Sequence, residues 1–224
     1  MSKGLPRAHT GETSDLGLRT SDVIRICLWS GPRNVSTALM YAFAQRADTR
    51  VVDEPLYGHY LRVSGARHPG RDEVMAAQNC DAEEVVRDVI LGPTNRPVLF
   101  IKHMAHHLVE IDGSFLAATR NAFLIRDPAE MLPSLVNQIA EPTLRDTGLP
   151  QQAELYDRLA GMGQSPPVLD ARELLLDPEH VLEHFCHDLG LAFDPNMLSW
   201  TPGGRPEDGV WARHWYQSVH RSSG

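Results

Sequence analysis

Short apolar runs alternate along this chain with stretches whose apolar positions recur every three or four residues. The runs Val23–Trp29, Arg50–Val52, Val98–Ile101, Asn121–Ile125 and Val168–Leu169 predict strands. The periodic stretches predict helices over Ser36–Arg46, Ala82–Ile90, Ala129–Asn137, Gln151–Gly161 and Pro178–Leu189. Asp177-Pro178 is a good start for the last long helix and Gly190 a good stop. Strands alternating with helices in this way are the signature of βαβ units and a parallel sheet. The expectation is a three-layer α/β domain over residues 22–224 with a mainly parallel five-stranded sheet. Residues 1–21 are polar and rich in Gly, Ser and Thr, which reads as a disordered leader. Residues 55–80, rich in Gly, Arg, His and Pro, read as a long excursion over the active face.

Charge narrows the partners. The net charge of −8 argues against nucleic-acid or anionic-membrane binding, which needs a basic surface. An anionic ligand therefore has to be held by a few local arginines. No apolar run approaches the roughly 20 residues of a membrane helix, and no signal peptide is recognisable. Three scattered cysteines, one of them in a predicted buried strand (Cys27), suit reduced thiols in a cytoplasm. The pattern leaves the oligomeric state open and is compatible with a homo-oligomer.

The most informative segment is Cys27–Met40. An apolar strand runs into a Gly31-Pro32 turn carrying Arg33, and Ser36 and Thr37 then open an amphipathic helix. The first amides of a helix have no intrahelical acceptor, and its dipole favours negative charge beside them. Arginine and hydroxyl donors at the same place suit phosphate or sulfate. The Gly-Lys-Ser/Thr ending of a nucleoside-triphosphate loop is missing. Charged residues also recur at strand ends: Arg33 after the first, Glu54 after the second, Lys102 at the end of the third and Arg126 at the end of the fourth. In an open parallel sheet, ligands sit outside the carboxyl ends of the strands, so these four groups are expected to face one crevice.

At this point the chain resembles sulfotransferases that use 3′-phosphoadenosine 5′-phosphosulfate (PAPS), in a bacterial branch of that family. Pro32-Arg33-Asn34-Val35-Ser36-Thr37 resembles the 5′-phosphosulfate loop, with Asn34 replacing a serine and Val35 a glycine. Arg126, followed eight residues later by Ser134, resembles the 3′-phosphate motif. Glu54-Pro55 is similar to a dipeptide of carbohydrate-type members, and Ala171–His180 to a strand-to-helix region of the family. Trp211 and Arg213 lie where the family has a C-terminal nucleotide-binding loop. The resemblance implies a P-loop NTPase-like sulfotransferase fold and PAPS as sulfuryl donor, with no metal. It also implies that Arg33, Asn34, Val35, Ser36 and Thr37 hold the 5′ end, and that Arg126 and Ser134 grip the 3′-phosphate. Trp211 would stack on the base, and Arg213 would supplement Arg126.

Sulfuryl transfer needs in-line geometry and stabilisation of charge on the leaving oxygen, for which Arg33 and Lys102 are candidates. The acceptor, a small molecule bearing a hydroxyl or amine, needs a general base. Glu54 is the first candidate, with His59 and His103 as rivals because histidine has a suitable ordinary pKa. His103, His106 and His107 also invite a zinc reading, but no second ligand motif accompanies them, and a polar helix start under the crevice explains them better. Two alternatives stay open: a non-catalytic nucleotide- or partner-binding domain on the same fold, and a magnesium-dependent kinase.

Overall fold

The computed structural model describes residues 22–224, so the leader expected over residues 1–21 lies outside the described residues. Five strands, β1 (Ile24–Ser30), β2 (Thr49–Asp53), β3 (Val98–Met104), β4 (Arg120–Ile125) and β5 (Val168–Asp170), form one parallel sheet in the order β2-β3-β1-β4-β5. Between and after them run α1 (Ser36–Ala44), α2 (Tyr57–Ser64), α3 (Arg71–Ala77) and α4 (Ala82–Val85), the last continued by a π-helical turn over Val86–Ile90. The later helices are α5 (Pro128–Leu135), α6 (Leu149–Gly161), α7 (Ala171–Leu176), α8 (Pro178–Asp188) and α9 (Ala212–Trp215).

Successive residues of a strand point to opposite faces, so the sheet builds two cores. Ile26, Leu28, Phe100 and Leu124 face Leu39 and Phe43 of α1 and Leu182 and Phe185 of α8. Phe43 stacks on Phe100 at 4.0 Å and meets Phe185 edge-on at 6.1 Å. On the other face, Cys27, Trp29, Leu99 and Ile101 pack against Val85, Ile90, Leu155 and Leu159. The result is the expected helix–sheet–helix sandwich. Buried Arg25 closes one end of this layer by donating to the carbonyls of Ile90, Leu91 and Gly92.

The helix starts follow their capping residues. Asp127 accepts from the Ala129 amide at 2.8 Å and Pro128 opens α5; Asp177 accepts from the His180 amide and Pro178 opens α8. Gly190, with φ 65°, ends the α8 segment as expected. The excursion expected over residues 55–80 instead contains two helices. Tyr57, Tyr60 and Leu61 of α2 and Val74 of α3 form a third cluster with Trp211, Ala212 and Tyr216 of the tail. The Gly, His and Arg content masks the i, i+3, i+4 spacing of 57, 60 and 61. α7 was also missed; Asp170 caps it by accepting from the Arg172 amide at 2.7 Å.

Candidate active site

The carboxyl ends of β1 to β4 open onto one cavity of about 370 Å³, lined by the 32–38 turn, Glu54, Lys102, Arg126 and Ser134 and by residues of the C-terminal tail. All four strand-end groups therefore meet in one place.

The cradle at the end of β1 is held by its surroundings. Arg33 (φ 61°) and Val35 (φ 56°) both have left-handed backbones, and Val35 immediately precedes α1 with no side-chain cap. Such a conformation favours glycine and is a genuine outlier for a β-branched residue. So the valine holds a backbone conformation that ordinarily favours glycine. Asn34 is buried and turned inward: its Nδ2 donates to the Leu124 carbonyl at 3.2 Å, tying the loop to β4. Gly31 is needed for clearance, since a Cβ there would lie 2.6 Å from the Thr147 carbonyl oxygen.

The two motif arginines converge. Arg33 Nε donates to Ser134 Oγ at 2.8 Å and its Nη1 to the Trp215 carbonyl at 3.0 Å. Arg126 Nη1 donates to the carbonyl of Arg33 at 2.8 Å. Arg126 Nε is buried without a hydrogen bond, and the nearest carboxylate oxygen, Glu130 Oε2, is 3.5 Å away. Ser134 thus bonds to the first-motif arginine, whereas the resemblance paired it with Arg126. Burial, and then the charge of Arg126, pull the pKa of Arg33 below the ordinary arginine value. Two like charges facing one cavity and an unused buried donor suit an anion.

The same cavity is bordered by a nearly dry ionic cluster. Lys102 Nζ donates to Asp53 Oδ1 at 2.8 Å, to Glu54 Oε1 at 2.5 Å and to the Tyr216 hydroxyl at 2.7 Å. All three ammonium donors are thereby engaged. The Tyr216 hydroxyl in turn donates to Asp53 Oδ2 at 2.7 Å and accepts from Trp211 Nε1 at 2.9 Å. The side chains of Lys102 and Asp53 are 1% and 2% exposed and that of Glu54 is 8% exposed, so Glu54 is the carboxylate that reaches the cavity. Glu54 itself sits at φ 39°. Two carboxylates share one ammonium. Burial, opposed by Lys102 but assisted by Asp53, raises the Glu54 pKa above its ordinary range. Burial alone would depress Lys102, but Asp53 and Glu54 outweigh it and hold the ammonium charged.

The other candidates are dispersed. His103 stands one residue from Lys102 on the opposite face of β3, where it stacks on Trp29 at 4.3 Å and does not line the cavity. Burial, then Lys102, lowers its pKa to about 3. His59 bonds to the carbonyls of Cys80 and Val109 and is also off the cavity. Arg213 pairs with Glu73 outside the site, whereas Trp211 is in the wall. The Lys102–His107 segment is the end of β3 followed by a 3-10 turn rather than a helix start. Among the described residues, no His, Cys, Asp and Glu side chains are grouped to hold a metal ion.

Several groups in or beside the wall take places that the sequence did not assign them, among them His106 and His107, read above as a polar helix start. His107 is sandwiched between Tyr57 (4.8 Å) and Tyr60 (4.7 Å), with its Nδ1 3.9 Å from Glu54 Oε2. His106 and His68 also line the wall; burial first, then His68, lowers His106 to about 3. Asp53 had a readable signal in its place beside Glu54 at the end of the second apolar run, and the structure sets it directly opposite Lys102 in the β2–β3 register. Tyr216 is legible as one of the tail aromatics with Trp200, Trp211 and Trp215, but not as a partner of this cluster, since the carboxylates are 162 or more residues distant in sequence and the lysine 114.

A parallel α/β sheet with an anion cradle after its first strand defines a class of group-transfer and nucleotide-binding proteins. The narrower placement comes from comparison. A family model described as Sulfotransferase domain matches residues 24–224, and the chain belongs to that family. It is 44% identical over 197 residues to Branched-chain-amino-acid aminotransferase-like protein 1 of Arabidopsis thaliana; the match covers 88% of this chain but only 35% of that protein. The chain thus spans about a third of that relative's length. Two solved structures share the fold. The Sulfotransferase Domain from the Curacin Biosynthetic Pathway has a TM-score of 0.52 at 17% identity, covering 85% of this chain and 82% of the other. The Sulfotransferase Domain from the Synechococcus PCC 7002 Olefin Synthase has 0.52 at 18%, covering 86% and 87%.

Proposed function

We propose that residues 22–224 form one catalytic domain that moves a sulfuryl group from PAPS to a hydroxyl or amine of a small acceptor. The observation that carries this reading is the convergence of Arg33, Arg126 and Ser134 on a cavity that Glu54 also lines. The residues fit the donor: two guanidiniums line one cavity, and Arg126 Nε makes no hydrogen bond, its neighbour Glu130 standing 3.5 Å away, which suits an anionic ligand. Arg33, the 33–37 amides, Ser36 and Thr37 would hold its 5′ end. Arg126, with Ser134, would hold its 3′-phosphate, and Trp211, which lines the wall, would offer the base an apolar face. When bound, that donor supplies an activated sulfuryl group and leaves as adenosine 3′,5′-bisphosphate.

The chain's own residues then have separate tasks. Arg33 stays protonated and acts by charge alone. Glu54, its carboxyl pKa raised by burial, takes the proton of the acceptor hydroxyl onto a carboxylate oxygen. Lys102, with every donor engaged, holds Glu54 in place. The free cysteines, of which Cys27 and Cys186 are buried, favour action in a cytoplasm. A non-catalytic binding domain is the second reading, and it is favoured by the inward turn of Asn34, which removes one donor from the cradle.

Thermal melting with adenosine 3′,5′-bisphosphate, and separately with ATP and magnesium, tests the proposal. A ligand that binds the native state raises the melting temperature by mass action. The expected result is a shift with the bisphosphate alone, together with sulfate transfer from PAPS to members of a hydroxylated and amine acceptor panel. A shift with ATP and magnesium alone overturns it in favour of a kinase. Binding of bisphosphate without transfer supports the second reading.

A further inference from the structure

The tail residue Tyr216 lies outside every motif named above, yet its hydroxyl is the hub of the ionic cluster. It is buried, 2.7 Å from Lys102 Nζ, 2.7 Å from Asp53 Oδ2 and 3.4 Å from Glu54 Oε1. Trp211 Nε1 donates to it at 2.9 Å, which fixes its own proton on the Asp53 side. We propose that Tyr216 is a positioning residue: by anchoring Asp53 and Lys102 it holds Glu54 in the ionised, proton-accepting state. The inference rests on Glu54 being the general base.

The argument is one of charge balance. Asp53 and Glu54 bring two negative charges to a single ammonium in a dry place, so the cluster tends to take up an extra proton. A hydroxyl donated to Asp53 stabilises that carboxylate as an anion and leaves the Lys102–Glu54 bond undisturbed. Without it, Asp53 competes more strongly for Lys102, and the carboxyl pair binds a proton at higher pH. The groups facing Glu54 from neighbouring elements are Asp53 of β2, Lys102 of β3, His107 beyond β3, Tyr57 of α2 and Tyr216 itself. His107, which burial and then His106 hold well below its ordinary value, is neutral and does not offset the missing donor.

The test is Tyr216→Phe, which keeps the ring and removes only the hydroxyl. Carboxyl carbon NMR on protein labelled at Asp and Glu reads the titration of the pair directly, with Glu54→Gln assigning the Glu54 signal. The two sites titrate as a coupled pair, so the midpoint belongs to both. The expected midpoint rises by about one to two pH units in Tyr216→Phe, the size of one hydrogen bond to a charged group. The acid limb of the kcat/KM profile for sulfate transfer should move by the same amount, while adenosine 3′,5′-bisphosphate binds as in the parent. An unmoved midpoint in a variant that still binds bisphosphate overturns the inference. If Tyr216→Phe fails to fold, Trp211→Phe gives the second measurement. It removes the donor that orients the hydroxyl, and it should raise the midpoint in the same direction; no change overturns the inference equally. Retained turnover in Glu54→Gln is a different failure, that of Glu54 as base, and is read separately from the NMR titration.

Discussion

Arg126 Nη1 donates to the main-chain carbonyl of Arg33 at 2.8 Å, so the arginine of the second motif holds the first motif's turn in its left-handed shape. The side chain proposed to hold the donor's 3′-phosphate is thus also a brace for the turn.

Replacing Arg126 by alanine should therefore weaken adenosine 3′,5′-bisphosphate binding and loosen the turn together. One lost hydrogen bond to a charged group costs about 1.5–3 kcal/mol, roughly 10- to 150-fold in affinity. Calorimetric titration with the bisphosphate checks this, and Arg126→Lys should recover charge but not the brace. Parent-like affinity in the alanine variant would remove Arg126 from the anion site.

The left-handed Val35 makes an unusual substitution cheap. A strained β-branched residue costs on the order of 1–3 kcal/mol, and Val35→Gly relieves it while losing some packing against the α1 core and adding freedom to the unfolded chain. The expected net change in urea stability is less than about 1 kcal/mol in either direction. A loss of several kcal/mol would show that the valine side chain matters more than its backbone.

For Glu54→Gln, turnover should fall by roughly 10²–10⁴, the usual worth of a positioned base, with bisphosphate affinity nearly unchanged. In the parent, the raised carboxyl pKa places the rise of kcat/KM with pH above the ordinary glutamate range, because only the ionised form accepts a proton. The glutamine variant should lose that limb. Steady-state rates across pH decide the matter.

His103 offers a stability prediction free of catalysis. Its imidazole titrates near 6.5 when unfolded but at about 3 when folded, so its stabilising contribution is present above pH 6.5 and is lost as pH falls toward 3. Both ring nitrogens lack partners, and the ring stacks on Trp29, so phenylalanine is a fair replacement. His103→Phe should gain about 2 kcal/mol relative to the parent between pH 7 and pH 5, seen in urea melts at the two pH values. Its turnover at pH 7 should match the parent, which a catalytic His103 would not allow.

The sheet and the cradle were legible because they are local. Continuous apolar runs mark β1 and β3, and a turn followed at once by Ser36 and Thr37 marks the anion end. Glu54, Lys102 and Arg126 could be placed because strand ends in a parallel sheet share one edge. Side-chain detail was less accessible. Choosing between Lys102 and His103 as cavity groups depends on strand alternation from a known register, and the polar residues carry no hydrophobic period of their own. The α2–α3 segment was hidden because its packing partners, Trp211 and Tyr216, come from the far end of the chain. Asn34 was expected to face the ligand, but a buried amide needs an acceptor, and the Leu124 carbonyl supplies one.

The pairing of Asp53 with Lys102 across β2 and β3 has a consequence for how the sheet assembles. A one-residue slip of β2 against β3 would set Asp53 opposite Ile101 or His103 and take from the buried Lys102 ammonium the carboxylate opposite it. Misaligned sheets are thus penalised electrostatically as well as by packing. The three charges of Asp53, Glu54 and Lys102 that meet beside the cavity also act as an alignment key for the folding chain.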